Sequence, residues 1–129
     1  MTLRYFIFAI SIVLAGSAAA QAEGDPVAGA KVFNKCRACH DATGDKNKTG
    51  PNLSGVVGRK AGTFETFTRY SKGMKAAAEA GLVWDEAKLA EYLRAPKSVV
   101  PQGNMAFAGL KSDQELADII AYLKADPKP

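Results

Sequence analysis

The most regular apolar pattern lies near the end of the chain, where it predicts a helix. Four positions follow the i, i+3, i+4, i+7 spacing of one helix face: Leu116, Ile119, Ile120 and Leu123. Ser112 and Glu115 precede them in the arrangement of a capping box, in which each residue binds the other's backbone N–H. We therefore expect a helix that begins directly after Ser112.

A second amphipathic pattern predicts a helix that begins near residue 25. Asp25 is a favoured N-cap residue, and Pro26 suits the first helical position because it lacks a backbone N–H. Gly29, Phe33 and Cys36 then fall on one side at helical spacing. This helix is expected to carry two cysteines at its C-terminal end.

The middle of the chain predicts shorter helices separated by long loops. Helices are expected over about residues 71–80, stopped by Gly81, and about residues 85–94, with one further turn at residues 97–100. The glycine-rich segment 41–70 predicts no regular structure, and a loop of this length usually wraps something functional. Because no segment alternates as a strand, the predicted fold class is all-α.

Residues 1–20 have the three-part layout of a secretory signal peptide. Arg4 is followed by an apolar run and then by small residues, so cleavage is predicted after Ala20 or Ala22. The apolar run of about 10 to 15 residues is shorter than the roughly 20 needed to span a bilayer. We expect one mature domain, residues 21–129, in the periplasm, with no stable membrane insertion after cleavage.

The charge of the chain is mildly basic. Removing Arg4 with the signal peptide would leave 16 basic against 13 acidic residues, a net charge of +3. No dense Lys/Arg run or interleaved aromatic platform is present, so nucleic acid is not an expected partner. The excess instead favours acidic protein surfaces.

The segment "KCRACHDATG" contains both cysteines and the single histidine of the chain. A redox dithiol would need a βαβ setting, and a structural zinc site would need four ligands. Cys36, Cys39 and His40 match C-x-x-C-H, in which both thiols add to haem vinyl groups and the histidine binds the iron. The prediction is one covalently attached haem c, with an exported disulfide as the alternative.

The single histidine leaves methionine as the best second axial ligand. Met105 lies in the Pro/Gly-bearing loop "PQGNMAFAG", which can present a sulfur atom at a chosen position, although it could also fill a gap in the core. Met74 lies in a predicted helix and is expected to pack there. We therefore predict His40 and Met105 as the iron ligands, and such ligation would raise the reduction potential.

The chain also resembles class I cytochrome c, most closely the short cytochrome c2 type of proteobacteria. The likeness runs from about Gly24 to Ala125, and its motifs occur in the order "CRACH", "TGPNLSGVVGRKAG", "LAEYLRAPK", "MAFAGL" and "IIAYLKA". It implies the class I cytochrome c fold, with N- and C-terminal helices packed together and shorter helices and long loops around one haem. The match places Gly29 and Phe33 against the last helix, near Ile119 and Tyr122.

The resemblance also implies roles for individual residues. Pro51 matches the proline that orients the axial His40, and Phe107 and Tyr92 match aromatics of the haem pocket. Residues matched to propionate binding are Arg59, Tyr70 and Trp84. Residues matched to partner docking around the haem edge are Lys35, Lys97 and Lys111.

The function implied is that of a soluble periplasmic one-electron carrier, not an enzyme. The family implies electron transfer, in respiration or photosynthesis, from a cytochrome bc1 complex to a photosynthetic reaction centre or a terminal oxidase, and we expect a monomer. The sequence does not choose between these acceptors. The alternative is a haem protein whose sixth site opens for weak peroxidase activity or for sensing a small ligand.

Overall fold

The computed structural model describes residues 22–129, and this part of the chain is helical. Its α-helices are α1 (Pro26–Val32), α2 (Lys72–Glu79), α3 (Glu86–Arg94), α4 (Pro96–Val99) and α5 (Asp113–Lys124). The only β-type pairing among these residues is an isolated bridge between Lys60 and Val83, so the all-α prediction is confirmed. None of the helices described is long and apolar enough to cross a membrane. The predicted signal peptide, residues 1–20, lies outside the described residues.

Side-chain caps begin four of these helices, at or next to the starts that the sequence pattern predicted. The capping oxygens belong to Asp25, Ser71, Asp85 and Ser112, and each accepts a backbone N–H of the first turn. The predicted capping box on α5 is only half formed. Glu115 donates its backbone N–H to Ser112 at 3.3 Å, whereas its carboxylate lies 2.5 Å from the ammonium of Lys35. A tertiary ion pair has therefore replaced the local hydrogen bond.

Helices α1 and α5 form the main helix pair, as the resemblance implied. A Cβ on Gly29 would lie 2.0 Å from the carbonyl oxygen of Asp118, so the two backbones touch directly at this position. The rings of Phe33 and Tyr122 pack with centroids 5.2 Å apart. The buried carboxylate of Asp118 accepts the backbone N–H of Asp25 at 2.8 Å, which ties the start of α1 to α5.

Helix α1 ends earlier than the sequence pattern predicted. Its last residue is Val32, and a 3₁₀ turn, Phe33–Lys35, follows it. The cysteines therefore lie in a turn after the helix, where His40 donates its backbone N–H to the carbonyl of Cys36 at 3.0 Å. The turn still brings Cys36, Cys39 and His40 together.

The segment 41–70 is irregular, as predicted, and a buried asparagine organises its first half. Asn52 is 0% exposed. Its side-chain amide donates to the carbonyls of Thr43 and Lys46 at 3.0 and 2.9 Å, and its side-chain oxygen accepts the N–H of Ser54 at 2.7 Å. Because every polar atom of this side chain is used, a loop without secondary structure acquires a fixed conformation.

Candidate functional site

His40 is held in a defined orientation by Pro51. Its Nδ1 lies 2.7 Å from the carbonyl oxygen of Pro51, and because that oxygen can only accept, Nδ1 carries the proton. Burial lowers the pKa of His40; the bond to Pro51 opposes this shift, and the nearby Lys48 cation adds to it. The imidazole is therefore neutral at pH 7, with a free lone pair on Nε2, which is the form that binds metals.

Gly50 makes room for this ring. A Cβ at Gly50 would lie 2.2 Å from Cε1 of His40 and 2.7 Å from Nδ1, far inside contact distance. The N–H of Gly50 donates to the carbonyl of Cys39 at 2.8 Å, which fixes the distance between the two chain segments. Sequence reasoning did not assign Gly50 to the site, although its position directly before the matched Pro51 was a usable signal.

Lys48 is a second site residue that sequence reasoning missed. Its ammonium lies 2.8 Å from the carbonyl oxygen of Arg37 and 2.9 Å from a carboxylate oxygen of Asp41. It therefore bridges the chain on both sides of His40. Together these contacts define the histidine loop, residues 36–54.

The two cysteine side chains lie in the turn directly before His40. Cys39 is exposed and Cys36 is half-buried, and no disulfide joins them. Burial raises the pKa of the Cys36 thiol, and the adjacent Lys35 cation partly opposes that rise. Across residues 22–129, no three His, Cys, Asp or Glu side chains gather as a metal site.

Met105 lies in the methionine loop, residues 101–107, beside a buried tyrosine. The hydroxyl of Tyr92 lies 3.8 Å from the sulfur of Met105, a weak contact in which the O–H donates. Burial raises the pKa of Tyr92 to about 12, so this hydroxyl stays protonated at neutral pH. Met74 packs from helix α2 against the core, as predicted, and Met105 packs against the same core from its loop.

The three residues matched to propionate binding lie close together. Arg59 donates to the carbonyls of Asn52 and Ser54, both at 3.0 Å, and its guanidinium lies 4.9 Å from the centroid of the Phe64 ring. The N–H of Phe64 donates to the hydroxyl of Tyr70 at 3.1 Å.

Trp84 joins this group through its main chain, because its N–H donates to the carbonyl of Arg59 at 2.9 Å. Its buried ring packs on Tyr92 with centroids 4.8 Å apart. Burial lowers the pKa of the Arg59 guanidinium, and the nearby Tyr70 opposes this shift. Trp84 therefore connects Arg59 with Tyr92, the residue beside Met105.

The three lysines matched to docking are exposed but have contacts within the chain. Lys35 pairs with Glu115, and Lys97 donates to the carbonyl of Gly103. Lys111 lies 3.2 Å from the carbonyl of Arg94 and 3.3 Å from that of Ala108, near the end of α3. Their ammonium groups are thus fixed in position while remaining at the surface.

These donors fit a large apolar group bound through sulfur. The two loops also present apolar side chains that are only partly buried although they pack against the core, Leu53 and Phe107. With the two cysteine sulfurs, a neutral imidazole and a thioether, they supply the donor types and the apolar contacts that a haem requires. The all-α fold and this donor set define a c-type haem protein.

The chain belongs to the cytochrome c family, whose model matches residues 26–125. It is 48% identical over 103 residues to the cytochrome c2 of Afifella marina, covering 78% of this chain and 82% of that protein. It is 50% identical over 107 residues to the cytochrome c2 of Rhodoblastus acidophilus, covering 80% and 96%.

Solved structures show the same likeness. Cytochrome cH from Methylobacterium extorquens matches with a TM-score of 0.71 at 44% identity, over 78% of this chain and 98% of that one. Cytochrome c2 from Rhodospirillum centenum matches with a TM-score of 0.73 at 40% identity, over 78% and 97%. The predicted class I cytochrome c fold is confirmed, and the protein is an electron carrier with one covalently bound haem c.

Proposed function

We propose that His40 and Met105 are the two axial ligands of the haem iron. The observation that carries this proposal is the 2.7 Å contact between Nδ1 of His40 and the carbonyl of Pro51, because it leaves Nε2 free to bind. Met105 supports it as a thioether with a single weak polar contact, to Tyr92. When bound, the haem supplies a one-electron couple, and a His/Met pair raises its reduction potential.

The remaining contacts to the haem follow from the same arrangement. The sulfurs of Cys36 and Cys39 would hold the haem as two thioethers, one to each vinyl-derived carbon, with the S–H bond and the C=C π bond replaced by a C–S and a C–H bond. Arg59, Tyr70 and Trp84 are proposed to bind the propionates, and Tyr92 and Phe107 to line the pocket. Arg59 keeps N–H donors beyond its two carbonyl contacts, as this role requires.

The role we propose is electron transfer in the periplasm, after removal of a signal peptide at residues 1–20. Electrons would arrive from a cytochrome bc1 complex and leave to a photosynthetic reaction centre or a terminal oxidase. The likeness to cytochromes c2 supports this role. Lys35, Lys97 and Lys111 would steer the monomer towards acidic partner surfaces, which makes the association rate sensitive to salt.

The first test is the spectrum of the ferric holoprotein, in the far-red region where a methionine–iron bond gives a weak charge-transfer band. We expect this band, and we expect Met105→Ala to remove it and to lower the reduction potential by on the order of 100 mV. Met74→Ala is the matched control, because it removes the other methionine of the described residues, which packs from helix α2 against the core. It should keep both the band and the potential.

Each other outcome has a defined meaning. A band that persists in Met105→Ala would show that Met105 is not the ligand. A haem spectrum without the band in the unmodified protein would favour the peroxidase or ligand-sensing alternative. If Met74→Ala loses the band and Met105→Ala keeps it, Met74 of helix α2 is the iron ligand.

A further inference from the structure

Helix α2 touches the methionine loop directly, through a glycine. Gly73 is buried in the first turn of α2. A Cβ at this position would lie 2.3 Å from the carbonyl carbon of Gln102, 2.6 Å from its oxygen and 2.7 Å from the nitrogen of Gly103. The backbone of α2 therefore lies directly against the Gln102–Gly103 peptide, two residues before Met105.

The glycine is required by this contact and not by its own conformation. Gly73 lies within the regular part of α2, and its φ is outside the left-handed region that favours glycine. Alanine is a better helix former at such a position. The reason for glycine is thus the close approach of two backbones.

The methionine loop has few hydrogen bonds of its own. Within the described residues, the backbone N–H groups of residues 101–107 make two hydrogen bonds, from Gly103 to the carbonyl of Val100 and from Phe107 to that of Met105. Lys97 binds the carbonyl of Gly103 from the exposed side. Gln102, Asn104 and Ala106 are exposed. The loop is therefore held mainly by packing, of Met105 and Phe107 against the core and of the Gln102–Gly103 peptide against α2.

The first turn of α2 is itself well fixed. The hydroxyl of Ser71 accepts the N–H of Met74 at 3.0 Å, which caps the helix next to Gly73. A surface that is fixed in this way supports a loop that has little hydrogen bonding of its own.

We propose that Gly73 is a positioning residue for Met105, so that the packing of α2 on the Gln102–Gly103 peptide sets how firmly Met105 holds the sixth coordination position. This inference rests on the proposed function, because it takes Met105 as an axial ligand. Any side chain at Gly73 would push the peptide outwards and increase the fraction of molecules whose sixth position is open. Helix α2 thereby controls whether foreign ligands reach the iron.

The test is a titration of ferric holoprotein with imidazole, with the far-red charge-transfer band as a second readout. The apparent affinity for imidazole rises in proportion to the fraction of molecules whose sixth coordination position is open. We expect Gly73→Ala to bind imidazole about tenfold more tightly than the unmodified protein and to lose part of the band, because overpacking forces backbone shifts.

Gly55→Ala is the matched control for general destabilisation, because it lies outside α2 and both loops. Gly55 has φ of 65°, so alanine is strained there, but nothing lies within 4 Å of its added Cβ. This variant should lose stability while its imidazole affinity stays within about twofold of the unmodified protein. If Gly73→Ala and Gly55→Ala bind imidazole equally well, the proposal is wrong.

If Gly73→Ala does not fold, a pair of milder variants tests the proposal. Ser71→Ala removes the cap of α2, and Ser112→Ala removes the equivalent cap of α5. We expect about threefold tighter imidazole binding from the first and no change from the second. Equal affinities in this pair would overturn the proposal.

Met105→Ala separates this inference from the proposed function. We expect Met105→Ala to bind imidazole more tightly than any other variant does. If Met105→Ala leaves the affinity unchanged, the axial assignment itself fails. If Met105→Ala responds while Gly73→Ala and Ser71→Ala match their controls, only the role of Gly73 is refuted.

Discussion

The histidine loop and the methionine loop present the two proposed iron ligands, but they are held in opposite ways. The histidine loop is held by hydrogen bonds within itself. The N–H of Gly50 donates to the carbonyl of Cys39 and that of Leu53 to the carbonyl of Asp41, and the side chain of Asn52 makes three more. The methionine loop is held mainly from outside, by the packing of α2 and by the 3.8 Å contact from Tyr92.

This difference matches the chemistry of the two donors. An imidazole must keep one tautomer and one ring orientation, which needs a rigid partner such as the carbonyl of Pro51. A thioether on an unbranched side chain can adjust its position, so it tolerates a less constrained loop. We infer that the iron would open first on the methionine side. The three predictions below test this contrast.

The largest expected effect comes from filling the space beside the histidine ring. Gly50→Ala would place a Cβ 2.2 Å from Cε1 of His40, and the ring cannot move without losing Pro51. We expect the free energy of unfolding of the holoprotein to fall by about 3 kcal/mol. Denaturant unfolding followed by haem absorbance measures it.

Gly44→Ala is the control in the same loop. Gly44 has φ of 63°, and no atom lies within 4 Å of its added Cβ, so only backbone strain of about 1 kcal/mol is expected. Equal losses in Gly44→Ala and Gly50→Ala would mean that the histidine loop yields to the new side chain. It would then be no more rigid than the methionine loop.

The sequence predicted well those features that depend on neighbouring residues. The caps Asp25 and Ser112 and the pattern C-x-x-C-H act over a few positions, so local spacing reveals them. The early end of α1 at Val32 was missed, because the turn that follows also has contacts with distant parts of the chain, from Phe33 to Tyr122 and from Cys39 to Gly50.

The residues that support the ligands were harder to predict, because their roles depend on what lies opposite them. Gly50 and Gly73 look like ordinary loop and helix glycines until the His40 ring and the Gln102–Gly103 peptide are placed against them. Lys48 reads as a solvated surface charge until it bridges the two sides of His40. The resemblance supplied Pro51 and Tyr92, but the residues alone did not.

A smaller effect is expected on the methionine side at alkaline pH. Burial raises the pKa of Tyr92 to about 12, above the ordinary value of 10.0. Between these values the unfolded chain loses this proton while the folded chain keeps it, so stability falls as pH rises through this window. The contribution is present in full below pH 10 and amounts to about 1–3 kcal/mol.

Tyr92→Phe should remove this part of the alkaline loss. The measurement is the free energy of unfolding of both proteins at pH 9 and pH 11.5, and the difference between them should narrow or reverse at the higher pH. If both proteins lose equal stability over this range, the Tyr92 hydroxyl is not shielded, and the methionine side is more open to water than its burial indicates.

The smallest expected effect is on the reduction potential, from the ion pair of Lys48 and Asp41 beside His40. It tests whether this pair acts through its charges or through the rigidity of the histidine loop. The Lys48 cation disfavours further positive charge nearby, so Lys48→Met should lower the reduction potential and Asp41→Asn should raise it. Both side chains are about a third exposed, so each shift should be on the order of 10 mV and should shrink as salt is added. The double variant should return close to the unmodified potential, because the two charges cancel.

Shifts of the same sign in both single variants would instead mean that breaking the bridge between Arg37 and Asp41 moves the His40 ring. In that case the Lys48 bridge acts through geometry, and orientation and charge cannot be separated on the histidine side.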